Sequence, residues 1–388
     1  MEPARAIAQL LRDQEPITVT TDDTTHLASL GWDANWAVVF HAAGQSLGNR
    51  WEDSTVPGRV VAEHRERYAV SVGDRDVSAV LAGRARHAAS ARHELPAVGD
   101  WVGISRDAGD GTAIVRFVVP RRGAFVRKSA GTLTEAQVVA ANVDVAMIVT
   151  ALPGDLSSRR LERYLTLAWE SGATPVVVLT KSDLSDDVHA ALTQARLAAP
   201  GVETIAVSAI RGDGMDLLTA WLEPGRTAVL LGSSGVGKST LVNHLVGTAQ
   251  QRTATLASTG RGRHTTTHRE LVRLANGALL IDTPGMRELQ LWTADDGLGS
   301  TFADVEAFAA SCRFRDCVHD QEPGCAVRDA VVSGELPGER LEHWHHLRRE
   351  LAFLQRKQDE RASAEQRNRV RSLTRGLRAR LRDKYGDA

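Results

Sequence analysis

Residues 227–243 read TAVLLGSSGVGKSTLVN, a stretch that joins an apolar run, a glycine-rich turn and a segment that favours helix. Gly232, Gly237, Lys238 and Ser239 match the pattern GxxxxGK[ST], in which backbone amides wrap around phosphate oxygens at a helix N-terminus. Because an apolar strand precedes this turn and a helix follows it, we predict a nucleotide-phosphate site in an α/β domain.

The phosphate site is expected to extend beyond this turn. Lys238 suits the terminal phosphates, and Ser239 suits Mg²⁺. Downstream, Asp282 ends the strand ALLID and can hold the Mg²⁺ shell, while the Gly285 amide can sense the γ-phosphate. The predicted phosphate-side residues are Gly232, Ser233, Ser234, Gly235, Val236, Gly237, Lys238, Ser239, Thr240, Asp282 and Gly285.

A polar loop lies between these two motifs, with the sequence GRGRHTTTHRE over residues 260–270. Such a loop can order around a γ-phosphate and its metal ion, so we predict a switch segment. Thr265, Thr266 and Thr267 compete for the metal-sensing role, and we include Thr267 in the predicted site.

The base is expected to be guanine. Thr180, Lys181, Ser182 and Asp183 follow the strand PVVVL, and a carboxylate there can accept both N1–H and the exocyclic amino group of guanine. Adenine offers no such donor pair. Lys181 can lie along the purine face, and the pair Ser208-Ala209, after the strand ETIAVS, can supply an N–H to the guanine oxygen.

The order of these elements is informative. The base-reading segments near 180 and 208 precede the phosphate segments near 232 and 282, whereas ordinary Ras-like GTPases run the other way. Strands and helices alternate through this region, as in a parallel sheet covered by helices. The sequence therefore predicts a circularly permuted P-loop GTPase domain of α/β class.

Length and composition set the wider frame. A chain of 388 residues and 41.9 kDa predicts two to three domains, and a net charge of −1 excludes a uniformly basic nucleic-acid coat. Five short β-rich runs over residues 59–119 favour an OB-like β-barrel, with a β-sandwich fragment as the alternative. The predicted organisation is an unassigned N-terminal extension (1–50), the barrel (51–128), the GTPase domain (129–295) and a zinc-binding helical domain with a basic tail (296–388).

All three cysteines of the chain lie within fourteen residues, together with one histidine: Cys312, Cys317, His319 and Cys325. Three thiolates and one imidazole suit tetrahedral Zn²⁺, and four protein ligands leave no open position for catalysis. We predict one structural zinc ion, with buried apolar thiols as the alternative.

The chain resembles the bacterial ribosome small-subunit-dependent GTPase A family in PVVVLTKSDL, GSSGVGKSTLVN, GRHTTTHREL, IDTPGMREL and CRFRDC followed by H and EPGCAV. The resemblance implies GTP as substrate and a role in late maturation of the small ribosomal subunit, with hydrolysis promoting release. Met286 follows DTPG where Ras-like proteins place a water-orienting Gln. The resemblance points instead to the switch-loop histidine, His264, with His268 as its competitor.

Basic residues suggest where RNA binds. Residues 366–384 contain eight Arg and Lys residues and the single acid Asp383, and a second basic cluster is Arg121, Arg122, Arg127 and Lys128. With the resemblance, these predict contact with rRNA phosphates of the small subunit. No apolar run reaches 18 residues and the cysteines suggest a reducing compartment, so we expect a cytoplasmic monomer without a membrane segment.

Two other function classes are considered. The first is a GTP-dependent switch or adaptor, which would use the same nucleotide site but act on a non-ribosomal protein partner. A P-loop kinase for a small molecule leaves Thr180–Asp183 and the threonine-rich loop unexplained. A preference for ATP over GTP is the result that would favour the kinase.

Overall fold

The computed structural model of the chain describes residues 23–48, 55–64, 67–73, 75–89, 91–106, 112–128, 136–247, 269–282 and 295–356. Two helices, α1 (Asp23–Ala28) and α2 (Ala34–Gln45), come first. The carboxylate of Asp33 caps α2 by accepting the Trp36 N–H at 2.7 Å, a common way to begin a helix.

Five strands then close into a small barrel, which confirms the predicted OB-like fold. They are β1 (Val56–His64), β2 (Arg67–Ser71), β3 (Asp76–Leu81), β4 (Trp101–Arg106) and β5 (Ala113–Val118), with helix α3 (Gly83–Ala88) between β3 and β4. Their order is β1-β2-β3-β5-β4, and β4 pairs back onto β1, with Val56 opposite Ile104. Buried and half-buried residues alternate along β5 because one of its faces fills the barrel interior.

A two-stranded sheet follows the barrel. Its strands are β6 (Ala124–Lys128) and β7 (Ala136–Ala141), which pair antiparallel with Ala124 opposite Ala141. This pair is absent from the sequence-based prediction.

Six further strands form the sheet of the nucleotide domain. They are β8 (Val145–Ala151), β9 (Thr174–Thr180), β10 (Thr204–Ala206), β11 (Thr227–Leu231), β12 (Glu270–Arg273) and β13 (Leu279–Asp282). The order is β10-β9-β8-β11-β13-β12, and only β12 runs antiparallel to its neighbour. Every residue of β8 and β11 is buried, as expected for strands covered on both faces.

Four helices accompany this sheet: α4 (Ser158–Glu170), α5 (Val188–Ala198), α6 (Met215–Thr219) and α7 (Lys238–Val246). Because β8, β9, β11 and β13 are parallel, their carboxyl ends lie along one edge. Ligands of open α/β sheets bind at this edge. The predicted base-reading and phosphate-binding segments both begin at it.

The N-terminal helices pack across the junction between the barrel and the nucleotide domain. The Trp32 and Trp101 ring centroids are 4.7 Å apart, and those of Phe40 and Phe117 are 5.4 Å apart. Toward the nucleotide domain, Gly31 lies close to Gly225, two residues before β11, and a Cβ at Gly31 would be 2.6 Å from the Gly225 carbonyl oxygen. The segment that the sequence left unassigned therefore fits closely against both domains.

The C-terminal module is helical. It contains α8 (Asp295–Thr301), α9 (Ala303–Ala309), α10 (Ala326–Ser333) and α11, helical over residues 338–356. One cluster of buried apolar side chains joins Trp36, Trp101, Ile148, Phe302 and Trp344, so the core is continuous from the N-terminal helices to this module. None of the described helices has the length and apolar run needed to cross a bilayer.

Candidate functional site

The phosphate loop follows the buried strand β11. Gly232 has φ of 146°, and a Cβ there would lie 2.3 Å from the Val149 carbonyl oxygen of β8, so only glycine fits. Gly237 has φ of 95° and begins α7. The Lys238 ammonium folds back over the loop, donating to the Gly232 carbonyl at 2.6 Å and to the Ser233 carbonyl. Glycine conformation and the helix start thus give this segment the shape of a phosphate-binding loop.

The base-reading segment leaves β9 at Thr180. Lys181 takes the left-handed conformation, with φ of 56°, and a 3-10 turn over Ser182–Leu184 follows. The Ser182 N–H donates to the Val207 carbonyl at 3.2 Å, which holds the turn beside the loop after β10. The Ser208 hydroxyl donates to Asp183 and holds the pKa of that carboxyl below its usual range, so Asp183 is ionised at neutral pH.

The loop after β10 is tightly folded around Ser208, which is fully buried. The Ser208 N–H donates to the Asp213 carbonyl at 3.0 Å, and the Ser208 hydroxyl accepts the Arg211 N–H at 3.1 Å. Since the Ser208 N–H is engaged inside the loop, the amide that suits a base oxygen is that of Ala209.

The base-reading and phosphate segments are bonded to each other. The Lys181 ammonium donates to the Gly235 carbonyl at 2.9 Å, and the Thr180 hydroxyl donates to the Val236 carbonyl at 2.5 Å. More than fifty residues separate these partners along the chain. The structure therefore brings together the two motifs that the sequence analysis connected only by their order.

Asp282 ends β13, which pairs in parallel with β11, with Val229 opposite Ile281. The carboxylate follows a strand adjacent to the phosphate loop, and Ser239 and Thr240 lie in the first turn of α7. Hydroxyl and carboxylate oxygens are the donors that Mg²⁺ prefers. The predicted residues His264, Thr265, Thr266, Thr267, His268, Gly285 and Met286 lie outside the described residues.

The Cys and His side chains of the C-terminal module form one compact cluster. The ligand atoms of Cys312, Cys317, His319 and Cys325 lie within 4.8 Å of one another. His319 Nδ1 is 3.6 Å from Cys312 Sγ and 3.4 Å from Cys325 Sγ, and the latter two sulfurs are 3.9 Å apart. A tetrahedral Zn²⁺ separates its thiolate and imidazole ligand atoms by about 3.5–3.8 Å, so the cluster fits zinc.

Cation binding at this cluster is coupled to loss of thiol protons, since thiolates are the ligands. Burial and the neighbouring thiols raise the pKa of Cys317 to about 11, so this thiol resists ionisation without a cation beside it. Burial lowers the pKa of His319, which keeps its imidazole neutral and able to coordinate. The Trp344 ring packs 5.1 Å from the His319 ring and orients it.

Glu322 organises the loop that carries two of these ligands, and the sequence analysis did not identify it. Its carboxylate accepts the N–H groups of Val318 at 2.9 Å, Asp320 at 2.9 Å and Gln321 at 3.2 Å. These backbone hydrogen bonds lower the pKa of Glu322 to about 2. An acidic residue between His319 and Cys325 was the available signal, but its backbone partners depend on the loop conformation.

The basic cluster at the domain junction is largely used inside the protein. Arg121 forms a two-pronged pair with the buried Asp100, with both contacts at 2.7 Å. Arg122 pairs with Asp33 at 2.9 Å and lies 4.2 Å from the Trp36 ring centroid. Domain packing therefore accounts for Arg121, whereas Arg122 is half-exposed and the phosphate-contacting patch stays a prediction.

Known proteins match the chain along most of its length. The family described as RsgA GTPase matches residues 118–292, and that described as ABC transporter matches residues 216–381, a range that includes the phosphate loop. "Small ribosomal subunit biogenesis GTPase RsgA" of Opitutus terrae is 44% identical over 366 residues, covering 92% of this chain and 98% of the relative. The protein of the same name from Streptomyces coelicolor is 44% identical, and the match covers 90% of this chain and 93% of the relative.

Solved structures agree with the fold. YjeQ from Thermotoga maritima superposes with a TM-score of 0.58 at 25% identity, covering 77% of this chain and 99% of that one. YloQ, described as a circularly permuted GTPase, gives a TM-score of 0.57 at 26% identity, and the match covers 77% of this chain and 96% of YloQ. The permuted order inferred from the sequence is confirmed.

Proposed function

The chain belongs to the RsgA GTPase family and is a GTP hydrolase, and from this premise we propose that its GTP-bound form docks on the immature small ribosomal subunit and that hydrolysis promotes its release. The observation that carries the proposal is the match, over 98% of its length, to a relative named for small ribosomal subunit biogenesis. The proposed setting is late maturation in the cytoplasm, with the protein acting as a monomer.

We assign base recognition to the segments after β9 and β10. The ionised Asp183 carboxylate accepts the N1–H and amino group of guanine, two charge-assisted bonds that adenine cannot make. The stem of Lys181 lies along the purine face, and the Ala209 amide donates to the guanine oxygen. The hydrogen bond from Lys181 to Gly235 supports this assignment because it fixes the base-reading segment against the phosphate loop.

Phosphate recognition is assigned to Gly232–Thr240. Backbone amides and the start of α7 attract the phosphates, and Lys238 exchanges its carbonyl partners for phosphate oxygens. Ser239 and Asp282 would hold Mg²⁺, which neutralises charge that develops on the phosphates. Thr267 and Gly285 are proposed to sense the γ-phosphate, and His264 to orient or deprotonate the attacking water.

We also propose one structural Zn²⁺ held by Cys312, Cys317, His319 and Cys325, which keeps the C-terminal module folded. The proposed domains are the barrel (51–128), the GTPase domain (129–295) and the zinc module with its basic tail (296–388). The β6–β7 pair crosses the limit at residue 128 and connects the first two.

Nucleotide-dependent docking tests this function. The protein should co-sediment with small subunits when loaded with a non-hydrolysable GTP analogue and much less with GDP, and large subunits are the control. Binding should weaken steeply with salt because phosphate contacts release counterions, and truncation after Ala364 should weaken it further. Equal sedimentation in both nucleotide states, or with large subunits, contradicts the proposal and favours the adaptor function.

A further inference from the structure

A cavity of about 710 Å³ lies where the barrel meets the β6–β7 sheet. It is bounded by β2 and β3 of the barrel, by the segment from α3 to Ala97, and by β7. None of its described lining residues belongs to the proposed nucleotide site or to the proposed zinc site. Pockets for small ligands commonly enclose about 300–1,000 Å³, so this cavity is large enough for a ligand of its own.

The floor of the cavity is buried and mostly apolar. Tyr68 is 6% exposed and packs in the barrel core, and Gln137 of β7 is 9% exposed. Beside them, Ala97 and Val138 belong to a small apolar cluster. A nucleobase suits a floor of this kind because its faces are apolar and its edges are polar.

Two polar side chains of the floor have unused hydrogen-bonding capacity. Arg127 donates to Gln137 Oε1 through Nη2 at 3.3 Å and through Nε at 3.4 Å, which leaves the amide NH2 of Gln137 to donate elsewhere. Within the described residues, nothing accepts from this NH2 and nothing is hydrogen-bonded to the Tyr68 hydroxyl. Burial and the nearby Glu63 raise the pKa of Tyr68 to about 12, so its hydroxyl keeps its proton and can donate. Because buried polar groups are normally paired, we expect a ligand with acceptor atoms here.

The rim of the cavity is positively charged. Arg67, Arg86 and Arg92 line it with exposed side chains. Glu63 is the only acid among the described lining residues, and Arg269 lies 3.6 Å from its carboxylate and offsets its charge. Guanidinium groups bind phosphate oxygens in a two-pronged way, so this rim suits a ligand that carries phosphate.

The wall between the rim and the floor is held in place by the rest of the protein. Arg121 donates to the carbonyl oxygens of His93 at 2.5 Å and Leu95 at 2.8 Å, and it pairs with the buried Asp100 at 2.7 Å. The Asp100 carboxylate also accepts the Ala97 N–H at 2.8 Å. The cavity is therefore preformed, and a ligand can bind without first ordering this wall.

We propose that this cavity binds one unstacked nucleotide of a single-stranded RNA, with the base on the floor formed by Tyr68 and Gln137 and the flanking phosphates on Arg67 and Arg92. Proteins commonly recognise single-stranded RNA by its splayed-out bases, which stack and hydrogen-bond in such pockets. The inference rests on the proposed function, in which the RNA is the rRNA of the small subunit. A free nucleotide offers the same chemistry, and the experiment below separates the two sources.

Fluorescence anisotropy of a labelled oligouridine of about eight nucleotides tests the base contact. The full chain is first saturated with GDP, so that the proposed guanine site is occupied. Gln137→Leu keeps the size of the side chain and removes its amide, and it should raise the Kd about fivefold, the usual size for one lost hydrogen bond. Binding of an abasic oligomer of the same length should not respond to this change, because that oligomer has no base to contact the floor.

A second variant tests the rim. Arg92→Gln should raise the Kd for both oligomers about threefold and lower the slope of the salt dependence by about one, because it removes one phosphate contact. The matched control is Arg196→Gln, which changes an exposed arginine on α5. Helix α5 contacts β10, at the far end of the sheet from the barrel, so this control should leave both Kd values unchanged.

Unchanged oligouridine affinity in Gln137→Leu, or an equal loss with the abasic oligomer, overturns the inference. Uridine monophosphate that displaces the oligomer at an equal concentration also overturns it, because the cavity then serves a free nucleotide. If Gln137→Leu does not fold, a 4-thiouridine oligomer is crosslinked to the unaltered protein. The crosslink should map to residues 67–97 or 136–138, and a crosslink confined to other segments overturns the inference.

Stimulation of GTP hydrolysis by small subunits separates this inference from the proposed function. Protein that small subunits stimulate, but whose oligomer binding is unchanged in both variants, refutes the RNA cavity alone. Protein that binds the oligomers as predicted, but is not stimulated by small subunits, refutes the proposed function and supports the cavity as an RNA site.

Discussion

At the scale of single residues, Asp183 is the residue that we propose to select the base. The Ser208 hydroxyl lowers the pKa of its carboxyl, and the fold around Ser208 fixes the position of that hydroxyl. A fixed, ionised acceptor is needed because guanine and adenine differ mainly in the donors on their pairing edges. The proposed base recognition therefore rests on the buried Ser208 as well as on the Asp183 carboxylate.

We expect Asp183→Asn to raise the Kd for GTP about 100-fold, because the variant loses charge on two hydrogen bonds worth about 1.5–3 kcal/mol each when charged. The new amide can donate to a carbonyl at base position 2, so affinity for xanthosine triphosphate should rise. Competition of the three nucleotides GTP, XTP and ATP against a fluorescent guanine nucleotide measures both changes. Retained GTP preference would remove Asp183 from base recognition.

The second residue-scale prediction concerns His264. Met286 cannot orient water, so the chemistry is assigned to the histidine, and His264→Ala should lower turnover stimulated by small subunits about 100-fold. The Kd for GTP should change less than twofold, since this side chain acts on water and not on the nucleotide. Single-turnover hydrolysis measures the turnover, and equilibrium binding measures the Kd for GTP. His268→Ala is the comparison variant. Unchanged stimulated turnover in His264→Ala would exclude His264 from the hydrolysis step.

The nucleotide-site residues could be predicted from the sequence because short, fixed spacings define them. The segments Gly232–Thr240 and Thr180–Asp183 are each continuous, and the structure brings them together. The buried ion pair of Arg340 could not be predicted in the same way. Its partner Glu162 lies 178 residues away along the chain, and only the packing of α4 brings the two into contact.

At the scale of elements, the loop that carries His319 is held by a carboxylate outside the four proposed zinc ligands. Glu322 replaces the hydrogen bonds that the Val318, Asp320 and Gln321 amides would otherwise make to water. Metal-ligand loops are commonly fixed by such outer contacts.

Glu322→Gln should speed zinc loss to a chelator at least threefold, because a neutral amide accepts these N–H groups more weakly. The pKa of Glu322 is lowered to about 2, so its contribution is complete above about 4.5 and is lost as the pH falls toward 2. Zinc release followed with a colorimetric indicator between pH 7 and 3 measures both effects. The exposed Glu335→Gln is the control, and equal release rates in the two variants would contradict the role of Glu322.

The prediction of elements followed local pattern. The five barrel strands are short β-rich runs separated by turns, so they could be located from the sequence. The β6–β7 pair could not, because QVVAA continues into the apolar run of β8 and its pairing is set by contacts outside the run. Helix α2 lies in the extension that the sequence analysis left unassigned, and the contacts of Trp36 and Phe40 with the barrel depend on the tertiary fold.

At the scale of the whole molecule, Arg59 joins four segments of the chain. From β1 of the barrel it donates to the Thr227 hydroxyl of β11 at 2.8 Å, to the Gly99 carbonyl at 3.3 Å and to the Asn142 carbonyl at 3.3 Å. It also donates to the Leu30 carbonyl of the N-terminal segment. One buried guanidinium thus fixes the extension, the barrel, the β6–β7 connector and the nucleotide domain.

Arg59→Met should lower the free energy of unfolding by about 3 kcal/mol, because it leaves several buried acceptors without their donor. Calorimetry should also show the barrel and nucleotide domain unfolding in separate transitions. The control is Arg226→Met, which removes a largely exposed pair with Glu223 and should cost under about 1 kcal/mol. A single transition at the original temperature in Arg59→Met would show that the domains are held together by other contacts.

The central claim is that the small ribosomal subunit activates this GTP hydrolase, and the most direct test is steady-state GTP hydrolysis with and without purified small subunits. We predict weak turnover by the protein alone and at least a tenfold rise with small subunits, because the chain has Met286 in place of a water-orienting side chain. Large subunits and free rRNA should not produce this rise. Turnover that is unchanged by small subunits, or raised equally by large subunits, would contradict the claim.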